Sequence, residues 1–548
     1  MDKLKLSLVL LVSLFLFYVI TSAGVVYFME QPFHPSIVYD LWNASLRSGQ
    51  GAPQELKLIT LAGLLVIASS IILNPYMTRT KAYGDAQWAN KHDLKKMELF
   101  SKTGFILGKW KGKFLRTKEY LSVIFIAPPN SLKSVGLMIP NLLSCGDSIL
   151  AYDVKYDLFN KTSKRRSEFS KVFRFSPGDK DSAKFNPLAK EIIGSDWDEI
   201  IGAVESLATI IYPDVKTGDS HWIMGARNVF IFFALIEISE KKETSIPLVR
   251  ERALESAGFI EEDEDNDVII QGTKGWLMNY LDLNEDDMDK YLLLLGNDLI
   301  GRPDKEFGSV VSTFSTGLAG FADSRCSEAF SSCDFDPSMF RKERVSLYLC
   351  VKNKDTKRFS IPLRIILETF ADHFLSNEPK KEECGITYFL DEFPRLGKMD
   401  VIVDAPALQR SNRVRSIFCC QDEAQITEIY GREKVSTFKS SCAFHIHVPQ
   451  NTDALNKAIS ESSGYYTAKK KSYSVSKSNS TSHSEEKRLL ILPQDVGSMP
   501  TGEMILHTQG FRNRPAKARL PLFFENRKMK KMIGSIESEV KDSSEQEA

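Results

Sequence analysis

The sequence predicts an α/β protein: an open, mostly parallel sheet interrupted by an all-helical segment and preceded by two membrane-spanning helices. Three observations carry this reading. Short β-branched apolar runs alternate with helical stretches from residue 120 onward, the pattern of a sheet covered by helices on both faces. The strand signals lapse between about residues 195 and 314. Two long apolar runs open the chain.

Residues 6–28 are uncharged and rich in Leu, Val and Phe, long enough to cross a hydrocarbon core of about 30 Å. A second run at 58–73 is shorter, and a snorkelling Lys57 lengthens it before Asn74 and Pro75 stop it. Lys3 and Lys5 precede the first run, Arg79 and Lys81 follow the second, and the loop between is poor in Lys and Arg. That bias places both termini in the cytoplasm. Thr21, Ser22, Ala23 and Gly24 would also suit a signal-peptide cleavage site. A second apolar run so close behind favours a hairpin anchor instead. The expected division is an anchor with a short periplasmic loop at 1–80, sheet at 81–194, helices at 195–314, sheet again at 315–525, and a polar, disordered tail at 526–548.

The chain of 548 residues has room for several cores. Lys plus Arg equals Asp plus Glu, 71 each, so net charge points to no polyanionic partner. Eight cysteines, none in a CxxC spacing, read as free thiols in a reducing compartment rather than disulfides or a zinc site.

The strand runs are LSVIFIA at 121–127, SILAY at 148–152, VSLYLCV at 345–351, TYFL at 387–390, VRSIFCC at 414–420 and AFHIH at 443–447. Helices are expected at 196–211, 222–239 and 286–296. The acidic run at 261–265 reads as a solvated loop. The Lys/Ser-rich stretch at 469–487 reads as a mobile loop.

Three of the strand ends carry chemistry. After the first run comes APPNSLKS at 127–134, placed where a phosphate-binding P-loop sits between strand and helix. In such a loop, backbone N–H groups cradle phosphates, a lysine reaches the β/γ oxygens and a hydroxyl holds Mg²⁺. Ala127, Asn130, Ser131, Leu132, Lys133 and Ser134 are the candidate nucleotide-binding residues, with Ala127 and Leu132 at the two glycine positions. Leu132 is the serious change, because glycine tolerates dihedrals that a branched side chain resists. The 387–390 strand ends in Asp391, a candidate Mg²⁺ ligand beside Ser134, and Glu392, a candidate to polarise the attacking water. A third strand ends at Gln421, placed to sense the γ-phosphate. Sites cluster at the carboxyl ends of parallel strands, so the three together point to an ATP- and Mg²⁺-dependent ATPase.

The chain resembles the type IV secretion coupling proteins of the TraG/TraD kind over nearly its whole length. The likeness is carried by GDAQWA at 84–89, SVGLMIPNLL at 134–143, DVK at 153–155, FNPL at 185–188 and LDEFPRLGK at 390–398. Gln421, Gln425, Tyr430 and Gly431 extend it. The resemblance implies a RecA-like motor domain interrupted by an all-α domain, assembling as a homohexamer on the bacterial inner membrane. Its partners would be relaxase-bound single-stranded DNA or effector proteins, and the inner-membrane components of the secretion channel. It also implies an arginine supplied by a neighbouring subunit; Arg410 matches the family's candidate, with Arg413 and Arg358 as alternatives. The family keeps glycine where this chain has Leu132, which predicts slow or conditional hydrolysis. A docking scaffold without turnover and a septal DNA translocase are the competing readings.

Overall fold

The computed structural model describes residues 2–49, 51–72, 82–214, 220–241, 243–262, 268–284, 286, 288–407, 409–474, 480–534 and 536. Its contacts divide the chain into one unit at 1–85 with 467–487 and a larger one at 86–466 with 488–548. Asn74, Pro75, Arg79, Lys81, part of the 261–265 acidic run and the tail from 537 lie outside the described residues.

In the smaller unit, helices Asp2–Met29 and Gln54–Ile72 pack side by side, joined through helix Ile37–Ser48. Glycine sets their approach: a Cβ on Gly63 would lie 2.6 Å from Thr21, and one on Gly24 2.9 Å from Ile59. Trp42 Nε1 donates to Thr60 Oγ1 at 3.1 Å, and Val25, Ile37 and Leu56 are buried. Leu14, Phe15, Leu58, Leu61 and Leu65 point outward. Among the described residues, one helix is long and apolar enough to cross a membrane. It is Ser220–Lys241, with 67% of its apolar window buried inside the protein. It is therefore a core helix. Leu14–Tyr27 is a shorter apolar stretch, so the two spans expected from the sequence are not established by the described residues.

The larger unit contains the sheet. Its strands are β1 (Phe105–Trp110), β2 (Lys113–Thr117), β3 (Val123–Ile126), β4 (Ser148–Val154) and β5 (Lys171–Phe175). A helical segment carries the small pair β6 (Ile260–Glu262) and β7 (Val268–Gln271). Then follow β8 (Val345–Val351), β9 (Ile386–Leu390), β10 (Val414–Cys420) and β11 (Phe444–His447); β12 (Tyr465–Ser474) and β13 (Ser480–Leu489), a separate pair that falls largely in the smaller unit; and β14 (Glu503–Thr508) and β15 (Ala516–Arg519). The spatial order is β2-β1-β15-β14-β11-β3-β10-β9-β4-β8-β5. From β11 to β5 every neighbour is parallel. From β11 to β2 every pair is antiparallel.

All six strand runs read from the sequence lie in the parallel part, and β5 joins them. The inner parallel strands β3, β4, β8, β9 and β10 are buried along nearly their whole length because both their faces are covered. Ile124 and Ile126 enter one core and Val123, Phe125 and Ala127 the other; Leu150 and Tyr152 oppose Ile149 and Ala151 in the same way. Helix Trp197–Ile211 opens the helical segment under an Asp196 cap that accepts from Asp198 N and Glu199 N. Helix Ser220–Lys241 forms the centre, with residues from Val229 to Ile236 buried. The segment is not all-helical, since β6 and β7 pair within it. Within the stretch expected to be a mobile loop, the described residues 469–474 and 480–487 belong to β12 and β13, which pair with each other: hydrogen bonding between two polar strands needs no apolar run, so composition gave no sign of the pairing.

Candidate nucleotide-binding site

Strand β3 is fully buried at the middle of the sheet, and the chain leaves it into the loop at 127–134. Both sides of the exit are tied down. Ala127 N donates to Cys420 O at the end of β10 (3.1 Å), and Gln450 Nε2, just beyond β11, donates to Ile126 O (3.1 Å). Within the loop Ser131 N donates to Pro128 O, and Gly136 N to Leu132 O at 2.8 Å. Asn130 (φ 61°) and Leu132 (φ 65°) both lie in the left-handed region. A leucine there costs about 1–2 kcal/mol. Its side chain offsets part of that by packing, half-buried, against the core on that face.

Leu132 thus keeps the backbone shape that glycine would supply. Leu132→Gly removes the strain and the packing together, so we expect a melting temperature within a few degrees of wild type and unweakened nucleotide binding. Thermal melts and nucleotide titration check this; a large loss of affinity in Leu132→Gly would show that the leucine side chain itself belongs to the site.

Lys133 is buried, and its Nζ donates to Ala127 O (2.6 Å) and Pro128 O (3.4 Å), folded over its own loop. Ser134 Oγ donates to Asp391 Oδ2 at 2.9 Å, joining loop and acidic strand end. The other oxygen, Asp391 Oδ1, is buried without a hydrogen-bond partner. Burial pushes the Asp391 carboxyl above the usual range and Glu392 adds to it, while the Ser134 bond and the Lys133 charge oppose it. A hydroxyl beside a carboxylate with an unmet oxygen fits a hard divalent cation, which takes oxygen ligands and would relieve the cost of the buried charge.

Glu392 has φ 52°, so the chain turns sharply after β9. Its Oε1 accepts from Gln421 Nε2 at 2.8 Å, and its Oε2 lies 2.6 Å from Arg395 Nε. Sequence reasoning passed over Arg395, although the spacing of three from Glu392 within LDEFPRLGK was a usable signal. Asp153, which the sequence singled out within DVK but not as a site residue, lies at the end of β4, buried, accepting from Phe159 N at 2.8 Å and pushed up by burial to about 7.

The structure brings Ala127, Lys133, Ser134, Asp391, Glu392 and Gln421 together because β3, β10 and β9 are adjacent and parallel. It does not bring Arg410 to them. Arg410 precedes β10, at the amino end of the strands, where it pairs with Glu119 at 2.7 Å and is 70% exposed. Arg413 donates to Lys380 O and Lys381 O, and Arg358 pairs with Asp323.

The family model described as type IV secretory system conjugative DNA transfer matches residues 79–546. The VirD4 protein of Rhizobium radiobacter is 26% identical over 496 residues, spanning 87% of this chain and 69% of its own length. The conjugal transfer protein TraG of Escherichia coli is 26% identical over 530 residues, spanning 86% and 81%. The fold is similar to that of the bacterial conjugative coupling protein TrwBdeltaN70, with TM-score 0.60 and 16% identity over 80% of this chain and 95% of that one. TrwB in complex with ADP and Mg²⁺ gives TM-score 0.60 and 16% identity over 81% and 96%. The chain therefore belongs to the type IV secretory system conjugative DNA transfer family, the coupling proteins of type IV secretion.

Proposed function

We propose that this coupling protein is an ATP- and Mg²⁺-dependent motor, anchored in the bacterial inner membrane by two helices and assembled as a homohexamer. It delivers relaxase-bound DNA or effector proteins to the inner-membrane part of the secretion channel. The observation that carries the nucleotide reading is the Ser134–Asp391 bond at 2.9 Å with Asp391 Oδ1 buried and unpartnered beside it. TrwB, whose fold it shares, has been solved with a non-hydrolysable ATP analogue and with ADP and Mg²⁺. The outward apolar faces of Asp2–Met29 and Gln54–Ile72 support the anchor. We assign the anchor to 1–80, the motor to 81–194 and 315–525, the helical domain to 195–314 and the tail to 526–548.

When bound, Mg²⁺ supplies charge neutralisation at the phosphates. Lys133 leaves the carbonyls of Ala127 and Pro128 to reach the β/γ oxygens, while the loop from Ala127 through Asn130, Ser131 and Leu132 wraps the phosphates. Ser134 and Asp391 would hold the cation, Glu392 would orient and polarise the attacking water, and Gln421 would read the γ-phosphate. Arg410 serves a neighbouring copy. The left-handed backbone at Leu132 supports the motor reading over a scaffold without turnover.

The test is the pH dependence of Mg²⁺-assisted ATP binding. Proton and cation compete for Asp391, whose carboxyl is held above the ordinary value. Binding should therefore weaken on acidification while pH is still above the usual carboxylate range, near about 4. Without the cation the sign for folding is opposite. A raised carboxyl contributes stability in acid and loses it as pH rises through its folded value. Asp391→Asn should abolish both the Mg²⁺ requirement and the pH dependence. Wild-type affinity indifferent to Mg²⁺, or unchanged in Asp391→Asn, would sink the reading.

A further inference from the structure

We infer that Arg395 is a positioning residue that holds Glu392 back from the phosphate loop and so restrains hydrolysis; this rests on the ATPase reading above. The two oxygens of Glu392 are held from opposite sides. Gln421, at the end of β10, takes Oε1 at 2.8 Å, and β10 lies between β9 and β3, on the phosphate-loop side. Arg395 Nε takes Oε2 at 2.6 Å. Arg395 Nη1 is in turn bonded to Asn353 Oδ1 at 2.5 Å, and Asn353 follows β8, beyond β4 on the other side of β9. The carboxylate is thus tethered across the strand ends, toward the loop by Gln421 and away from it by the Arg395–Asn353 link.

Each oxygen of Glu392 keeps a lone pair for water, but a shift of the carboxylate toward a water in line with a phosphate stretches the bond on the far side. Gln421 is the partner that leads toward the phosphates, so Arg395 is the one released. Its side chain is 38% exposed against 24% for Glu392, which leaves the guanidinium open to solvent on the outer side of the site. A charge-assisted bond of this length is roughly twice as strong as a neutral one, so its release is a step of consequence for turnover.

The experiment is steady-state ATP hydrolysis by the full-length chain in detergent or lipid discs, comparing wild type, Arg395→Ala, Arg395→Lys and Asn353→Ala. Arg395→Ala should raise kcat several-fold with KM and melting temperature unchanged. Asn353→Ala should give a smaller rise, and Arg395→Lys, which keeps a cation within reach of Glu392, should return toward wild type. In a Glu392→Gln background, Arg395→Ala should change nothing. A kcat at or below wild type in a folded Arg395→Ala chain overturns the proposal, as does a rise that persists in the Glu392→Gln background. If Arg395→Ala does not fold, Asn353→Ala decides in the same way. Failure of the ATPase reading looks different: wild type and Arg395→Ala would then both be as inactive as Lys133→Ala, and both inferences fall.

Discussion

Lys133→Ala is expected to abolish ATP hydrolysis, lowering kcat by about 10²–10³ or more, the size of effect seen when one preorganised charge is removed from a transition state. Lys133 is the cation placed on the loop after β3, and its ammonium is held within the loop by the carbonyls of Ala127 and Pro128. In that position it is desolvated and pre-paired with weak acceptors, ready to exchange them for phosphate oxygens that carry full charge. Alanine leaves the loop backbone unchanged, since its anchors are Ala127 N on Cys420 O and Gln450 on Ile126 O. Melting temperature should therefore move little while nucleotide affinity and turnover collapse. Hydrolysis at the wild-type rate in Lys133→Ala would remove the ATPase assignment.

Arg410→Ala should be about as damaging, by about 10³ in kcat if the arginine acts on a neighbour's nucleotide, with ATP affinity retained. Within its own chain Arg410 lies at the amino end of the strands, opposite the carboxyl ends that carry Lys133, Asp391 and Gln421. It cannot serve its own site. Its partner Glu119 is a surface carboxylate, and an exposed pair of this kind contributes about 0–1 kcal/mol, so Arg410 is free to leave it. Mixing Lys133→Ala chains with Arg410→Ala chains provides the decisive measurement. In a shared ring, some interfaces combine an intact Lys133 with an intact Arg410, and activity should reappear from two inactive preparations. An active Arg410→Ala chain, or a mixture that stays inactive, would count against transfer of the arginine between subunits.

The parallel half of the sheet was legible because strands buried on both faces appear as unbroken apolar runs. VSLYLCV and VRSIFCC are such runs, and both prove fully buried. The antiparallel half was not. Strands such as KFLRT and AKAR are short, half-exposed and mixed in polarity, and their identity comes from the neighbour they pair with. Leu132 shows the same limit within the site. The sequence marked it as a departure from glycine, but only the fold shows φ 65° with the side chain seated against a core.

By itself, then, the sequence determined which residues stand at the strand ends: Lys133 and Ser134, Asp391 and Glu392, and Gln421. Each follows a local apolar run, and local hydrophobic pattern is readable residue by residue. Only the tertiary structure decided that these ends are neighbours. It set Ser134 2.9 Å from an aspartate 257 residues away, left Asp391 Oδ1 buried without a partner, tied Glu392 to Arg395 and sent Arg410 to the opposite end of the sheet. The reason is that strand order is a non-local property: it follows from which faces bury against which helices, and no window of sequence contains that information.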